Sequence, residues 1–150
     1  MPPPIDYIVR AARPEDADAV LELAKRFATS FTIAEQSFRV NFVELLSNAS
    51  ACIWVAELQG VIVGYILGFE HLTFFANGPV AWVEELMVDE SHRRRGIGNA
   101  LMEAVSTWSI SRGCRMIALA TRRAADFYTA LGYEPSATYF RKLLPAPANP

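Results

Sequence analysis

The stretch from Glu84 to Leu101 constrains this chain more than any other, because it reads as a strand, a short basic loop and the first turn of a helix. Val83, Leu86 and Val88 supply the apolar, partly β-branched character of a buried strand. Asp89 to His92 are polar enough to end it. Gly96 and Gly98 then remove side chains where the backbone turns, and Ile97, Leu101, Val105 and Trp108 continue at helical spacing. A strand that feeds a glycine-containing loop into a helix leaves backbone N–H groups free at the positive end of the helix dipole. That arrangement is a phosphate cradle in outline. Arg93, Arg94 and Arg95 add positive charge at its rim.

Composition narrows what such a cradle serves. The chain has 150 residues, 52% of them hydrophobic and 20% charged, which fits one globular domain spanning 1–150 with a real core. A net charge of −2 argues against bulk nucleic-acid binding, which needs a basic face to displace counterions. A small phosphorylated ligand at the arginine run remains compatible with it. No apolar run approaches the ~20 residues needed to cross a bilayer, so no membrane partner is expected. Met1 to Asp6 lack the basic and apolar regions of a signal peptide. The expectation is a cytoplasmic protein in which Cys52 and Cys114 are free thiols.

Taken in order, Ile5 to Ala11 suits a first strand. Pro14, Glu15 and Asp16 open a helix whose buried stripe is Val20, Leu23, Ala24 and Phe27. A second helix is expected from Ala34 to Asn48, with Phe38, Phe42, Leu45 and Leu46 on one side and Phe31 or Phe38 as candidates to line an acceptor pocket. Cys52–Leu58 and Val61–Phe69 read as strands joined at Gln59-Gly60. Gly64 and Gly68 inside the second of these mark a bulge or a close backbone approach. His71 to Pro79 is a loop with exposed-looking aromatics, and Val80 to Val88 the fourth strand. After the long helix, Cys114 to Ala120 is a buried strand and Thr121 a helix N-cap. The next helix carries Ala125, Phe127, Tyr128 and Leu131 and stops at Gly132. Tyr133 to Lys142 reads as a closing strand or hairpin, with residues 1–4 and 145–150 as loose tails.

Arg93-x-x-Gly96-x-Gly98, one short loop after a strand ending Leu86-Met87-Val88, resembles the coenzyme A signature of the GNAT superfamily of N-acetyltransferases. Phe127 to Tyr133 resembles the second hallmark of that family, a tyrosine on a short helix followed by glycine and an aromatic. A Rossmann or P-loop reading is weaker, since Leu101 stands where G-x-G-x-x-G needs a third small residue and no G-K-[ST] occurs. The resemblance implies a mixed α/β fold: a mostly antiparallel sheet of six to seven strands, flanked by about four helices and splayed between strands four and five. It implies acetyl-CoA as co-substrate, with its pantetheine arm on the backbone of Leu86, Met87 and Val88. The diphosphate would lie on amides from Arg94 to Asn99, within a cofactor-binding loop and helix start formed by Arg93, Arg94, Arg95, Gly96, Ile97, Gly98, Asn99 and Ala100. Many relatives carry asparagine seven residues before the tyrosine; here Thr121 stands there as a substitute cofactor contact.

The implied reaction is direct transfer of an acetyl group to an amine, and a free alkylamine with pKa ~10 is mostly protonated at neutral pH. A general base is therefore useful, and Glu84 and Glu85 are the candidates. Adjacent strand residues point to opposite faces. Glu85 is preferred for the cleft if Leu86 and Val88 are core, and a bulge would reverse that parity. Tyr128 is the candidate general acid for the departing thiolate. His71 and His92 show no metal-ligand spacing, so no metal is expected. The acceptor is an amine of a small molecule or a peptide. The aromatic loop and Tyr139-Phe140 are candidates for a homodimer contact. The rival from another class is a non-catalytic acyl-CoA sensor; an RNA-binding role for the arginine run is disfavoured by the acidic balance.

Overall fold

In the computed structural model, which describes residues 6–148, the elements run β1 (Tyr7–Ala11), α1 (Ala17–Phe27), α2 (Glu35–Leu46), β2 (Ala51–Leu58), β3 (Val61–Leu72), β4 (Pro79–Val88), α3 (Ile97–Ser111), β5 (Ile117–Leu119) and α4 (Ala125–Ala130). The expected strand start at Ile5 and the tail residues 1–4, 149 and 150 lie outside the described residues. The chain divides into two compact units, one ending at Leu119 and the other beginning at Ala120.

The first unit is built on one sheet in the order β1-β2-β3-β4-β5. Every pairing is antiparallel except β4 with β5, which α3 connects as a crossover. Gln59 and Gly60 both adopt left-handed φ, 51° and 81°, as a two-residue hairpin between β2 and β3 requires. One sheet face packs Ile53, Val55, Tyr65, Leu67 and Met87 against Val20, Leu23 and Ala24 of α1 and Phe42 of α2. Phe38 stacks on Phe42 at 5.6 Å, whereas Phe31 is exposed. The opposite face receives α3 through Ile97, Leu101, Met102 and Val105. Gly64 permits that approach, and Gly68 leaves room for Cys52 of the neighbouring strand β2. A Cβ on Gly64 would lie 3.3 Å from Leu101 Cδ1 and 3.1 Å from the Met87 carbonyl oxygen, and one on Gly68 3.2 Å from Cys52 Sγ. These two layers of helix on a sheet are the mixed α/β architecture expected.

Three local expectations change. The aromatic connection shortens to residues 73–78, because β3 extends to Leu72 and β4 starts at Pro79. Thr73 closes it through its N–H and hydroxyl, both donating to the Gly78 carbonyl, and Phe74 and Phe75 stand exposed on it beside the exposed Leu72 that ends β3. The strand expected from Cys114 to Ala120 is only Ile117–Leu119, since the Cys114 N–H still donates to the Ser109 carbonyl as the chain leaves α3. Among the described residues the sheet has five strands rather than six or seven. The difference lies in Tyr133 to Lys142, which forms no strand. Pro135 removes a backbone donor there, and Ser136 and Ala137 have little tendency to hold a strand alone.

Candidate active site

β4 contains a bulge that organises the site. Leu67 of β3 pairs with Glu85, the next residue Gly68 pairs with Val83, and Glu84 is the extra residue between them. Before the bulge, β4 bonds toward β5: the Arg115 N–H donates to the Pro79 carbonyl at 2.8 Å and the Ala81 N–H to the Met116 carbonyl at 2.9 Å. Beyond it, Asp89 donates to the Val63 carbonyl at 2.8 Å. Antiparallel alternation then turns the peptide groups of Glu85 and Met87 toward β3, and those of Leu86 and Val88 the other way. β5 pairs with β4 only over Ala81, Trp82 and Val83. Leu86 and Val88 thus present backbone to a side from which the neighbouring strand has gone. Met87, expected to join them, has its peptide group committed to β3.

The loop that follows is tied down at its start. Asp89 accepts from Ser91 Oγ at 2.5 Å, Arg26 Nη1 at 2.5 Å and His92 Nδ1 at 2.8 Å. Those three donors hold its carboxyl well below the usual range. Arg93 turns back onto β4, its Nε donating to the Val88 carbonyl at 3.2 Å and its Nη2 lying 4.0 Å from Met87 Sδ. Arg94 and Arg95 stay exposed.

Arg94 and Gly96 both have left-handed φ, 64° and 81°, and such alternation makes successive N–H groups converge into an anion-binding concavity. Only glycine takes that conformation without strain, which explains Gly96 at the N-cap of α3. Among the described residues, none of the amides of Arg94, Arg95, Gly96, Ile97, Gly98 and Asn99 has an acceptor. Ala100 drops out of the expected set, because its N–H donates to the Gly96 carbonyl at 3.0 Å. Ile97 contributes only its amide, since its side chain is core. On the other side of the turn, the Tyr7 phenol donates to the Gly96 carbonyl at 3.2 Å.

The model of the Acetyltransferase (GNAT) family matches residues 17–133. The chain belongs to the GNAT family. An uncharacterized N-acetyltransferase of Methanocaldococcus jannaschii is 33% identical over 144 residues, covering 92% of this chain and 81% of that protein. An N-alpha-acetyltransferase of Sulfurisphaera tokodaii is 33% identical over 108 residues, 66% of this chain and 60% of its own length. Among solved structures, an aminoglycoside N-acetyltransferase in complex with CoA superposes with a TM-score of 0.81 at 22% identity, covering 95% of this chain and 98% of that one. The GNAT fold uses acetyl-CoA, and unpartnered backbone amides of the kind found at residues 94–99 are suited to binding an anion.

The two glutamates of this GNAT chain differ sharply in environment. Glu84, on the bulge, is exposed, whereas Glu85 is half-buried and accepts a 2.6 Å hydrogen bond on Oε1 from the Tyr65 phenol. Burial raises the Glu85 carboxyl, the Tyr65 hydrogen bond opposes the rise and Glu84 adds to it. The premise that Leu86 and Val88 are core and Glu85 therefore faces away from it is reversed. Met87 is the buried residue and shares a face with Tyr65 and Leu67, while Val88 lies on the α3 face beside Gly64. Among the described residues neither glutamate forms an ion pair.

In the second unit, Tyr128 lies on α4 with its ring edge-on to Phe127 at 4.9 Å and to Tyr133 at 5.9 Å. Burial, with Tyr133 adding, pushes its phenol upward. Thr121 is not the N-cap: the cap is Ala124, whose N–H donates to Thr121 Oγ1 at 3.0 Å. Its hydroxyl proton stays available for an acceptor. Sequence reasoning missed Tyr65 and the Arg26–Asp89 contact, both of which depend on pairing across elements far apart in the chain.

Proposed function

We propose that this GNAT-family protein moves an acetyl group from acetyl-CoA to a primary amine by direct attack within a ternary complex. The observation that carries the proposal is the conjunction of an open β4 edge at Leu86 and Val88 with the run of unpartnered amides from Arg94 to Asn99. The Leu86 backbone and the Val88 N–H bind the pantetheine arm, the Val88 carbonyl already accepting from Arg93. Amides of residues 94–99 bind the diphosphate, with Arg94 and Arg95 screening its charge. Each charge-assisted hydrogen bond of this kind contributes ~1.5–3 kcal/mol, so a handful anchors the donor without a metal. When bound, acetyl-CoA supplies an activated thioester carbonyl.

Glu85 takes the proton from the acceptor nitrogen, and its raised carboxyl makes it a better base near neutrality than an ordinary glutamate. Tyr128, whose raised phenol stays protonated, gives a proton to the departing sulfur. Tyr128→Phe should lower kcat by roughly 10- to 1000-fold, within or just below the span of general-acid effects, with CoA binding unchanged. Unaltered turnover removes Tyr128 from the mechanism. The acceptor is a primary amine of a small molecule or a peptide, in keeping with relatives named for N-alpha and aminoglycoside acetylation.

The test is a thermal-shift and thiol-release pair. CoA at 100 times its Kd should stabilise the fold by about 2.7 kcal/mol, raising Tm by roughly 5–10 °C for a chain of this length. A mixed amine panel should then release thiol from acetyl-CoA. Stabilisation without turnover across the panel would favour the acyl-CoA sensor, and an unmoved Tm would overturn the donor site itself.

A further inference from the structure

We infer that Tyr65 is a positioning residue that orients Glu85 for proton transfer, gripping Oε1 so that Oε2 is presented to the acceptor amine. The inference rests on Glu85 being the base. The geometry begins with register. Tyr65 sits directly opposite Met87 on β4, and Glu85 is the diagonal neighbour two residues away on the same face, a separation that an aromatic side chain spans. Glu84, as the bulge residue, places Glu85 on that face although Val83 just before it pairs with Gly68. Tyr65 itself is 2% exposed and packed in the core beneath α1 and α2. Its ring therefore has one orientation, and its O–H meets Oε1 at 2.6 Å. Among the described residues, no donor is recorded for Oε2.

Other groups on this face leave the pair alone. Tyr65 from β3 and Glu84 from β4 are the titratable groups that act on Glu85. α1, which crosses the same face, sends Arg26 to Asp89 and Lys25 to Glu22, and on α2 Arg39 pairs with Asp18 and Glu35. Burial and the Glu85 charge push the Tyr65 phenol far above its ordinary range, so at working pH it only donates. A buried donor of this kind stabilises the carboxylate over the carboxylic acid, and its removal raises the Glu85 pKa further.

The experiment is the pH profile of kcat/KM for wild type, Tyr65→Phe and Glu85→Gln, with acetyl-CoA and an amine that turns over. Tyr65→Phe keeps the buried ring and removes only the hydroxyl. Its acid limb should move to higher pH by roughly one to two units, with CoA-induced stabilisation unchanged. Replacing Tyr65 with 3,5-difluorotyrosine keeps the hydroxyl and makes it a stronger donor, and should move the limb to lower pH. Limbs that stay put in both variants, while Glu85→Gln is inactive, would overturn the role of Tyr65 and leave Glu85 as the base. Full activity of Glu85→Gln would instead remove the base assignment, and the Tyr65 inference with it. A fall in Tm or a rise in KM with an unmoved acid limb marks Tyr65 as merely structural and also overturns the inference.

Discussion

Glu85→Gln should lower kcat/KM at neutral pH by roughly 10²- to 10⁴-fold, the span that a positioned general base contributes. Glutamine preserves shape and still offers an amide oxygen to the Tyr65 hydroxyl, so the 2.6 Å contact has an acceptor in the variant. What it loses is the capacity to take a proton. The acid limb of the pH profile should vanish along with the activity. CoA should stabilise the variant as well as wild type, since the proposed donor contacts are backbone groups at Leu86, Val88 and residues 94–99.

Stability should move the opposite way. The Glu85 carboxyl is raised in the folded state, so its contribution to stability is present below the unfolded pKa and is lost as pH rises through the folded one. At neutral pH the ionised carboxylate is therefore a burden on the fold, and a neutral glutamine should leave Tm equal or slightly higher. A variant with kcat/KM within threefold of wild type sinks the assignment of Glu85. A large drop in Tm would mean that the loss of activity reflects unfolding.

The largest effect on stability should come from Asp16→Ala. Asp16 is 6% exposed and sits where β1 hands over to α1. Its two oxygens accept from Arg10 Nη1 at 2.8 Å and Nη2 at 2.9 Å, and Oδ2 also accepts from the Arg13 N–H at 2.7 Å. The guanidinium lowers the Asp16 carboxyl, and the carboxylate raises Arg10 in return. Truncation leaves the Arg10 guanidinium with a 3.2 Å bond to the Ala11 carbonyl and a 3.5 Å contact to Glu57, and strands the Arg13 amide. Removing one partner of such a pair costs about 3–5 kcal/mol, or a fall in Tm of roughly 6–20 °C.

The sign with pH follows from the lowered carboxyl. Its stabilisation is present above the unfolded pKa, near 4 for aspartate, and is lost as pH falls through the folded value. The Tm gap between wild type and Asp16→Ala should thus be widest at neutral pH and narrow below about pH 4. A gap of under about 2 °C at pH 7, smaller than 1 kcal/mol would produce, would contradict this reading.

Much of the turn between β4 and α3 was legible without coordinates, because its signals are local. A polar break after Val88, glycines at Gly96 and Gly98 and a helical stripe through Ile97, Leu101 and Val105 each act over a few residues. The left-handed φ at Gly96 is the conformation that its missing Cβ favours. Even so, the expectation that the cofactor-binding set reaches Ala100 overlooked where the first intrahelical bond closes. Arg93 likewise reads as one of three equivalent rim charges until its contact with the Val88 carbonyl is seen.

The acceptor side resisted sequence reading for a physical reason. Side-chain period along a strand is two, so one inserted residue reverses every face beyond it. Nothing in Glu84-Glu85 says which of the two is the insertion; that is decided by how β3 pairs on both sides, through Leu67 with Glu85 and Gly68 with Val83. The Tyr65–Glu85 hydrogen bond spans 20 positions and depends on the same register. By itself the sequence determined the family, the order of elements as far as α4 and the glycine turn that leaves amides open, all consequences of short-range preference. The tertiary structure alone decided which glutamate is buried, which backbone groups face the gap beside β4 and which phenol holds Glu85, because each depends on strands meeting across long loops in one register.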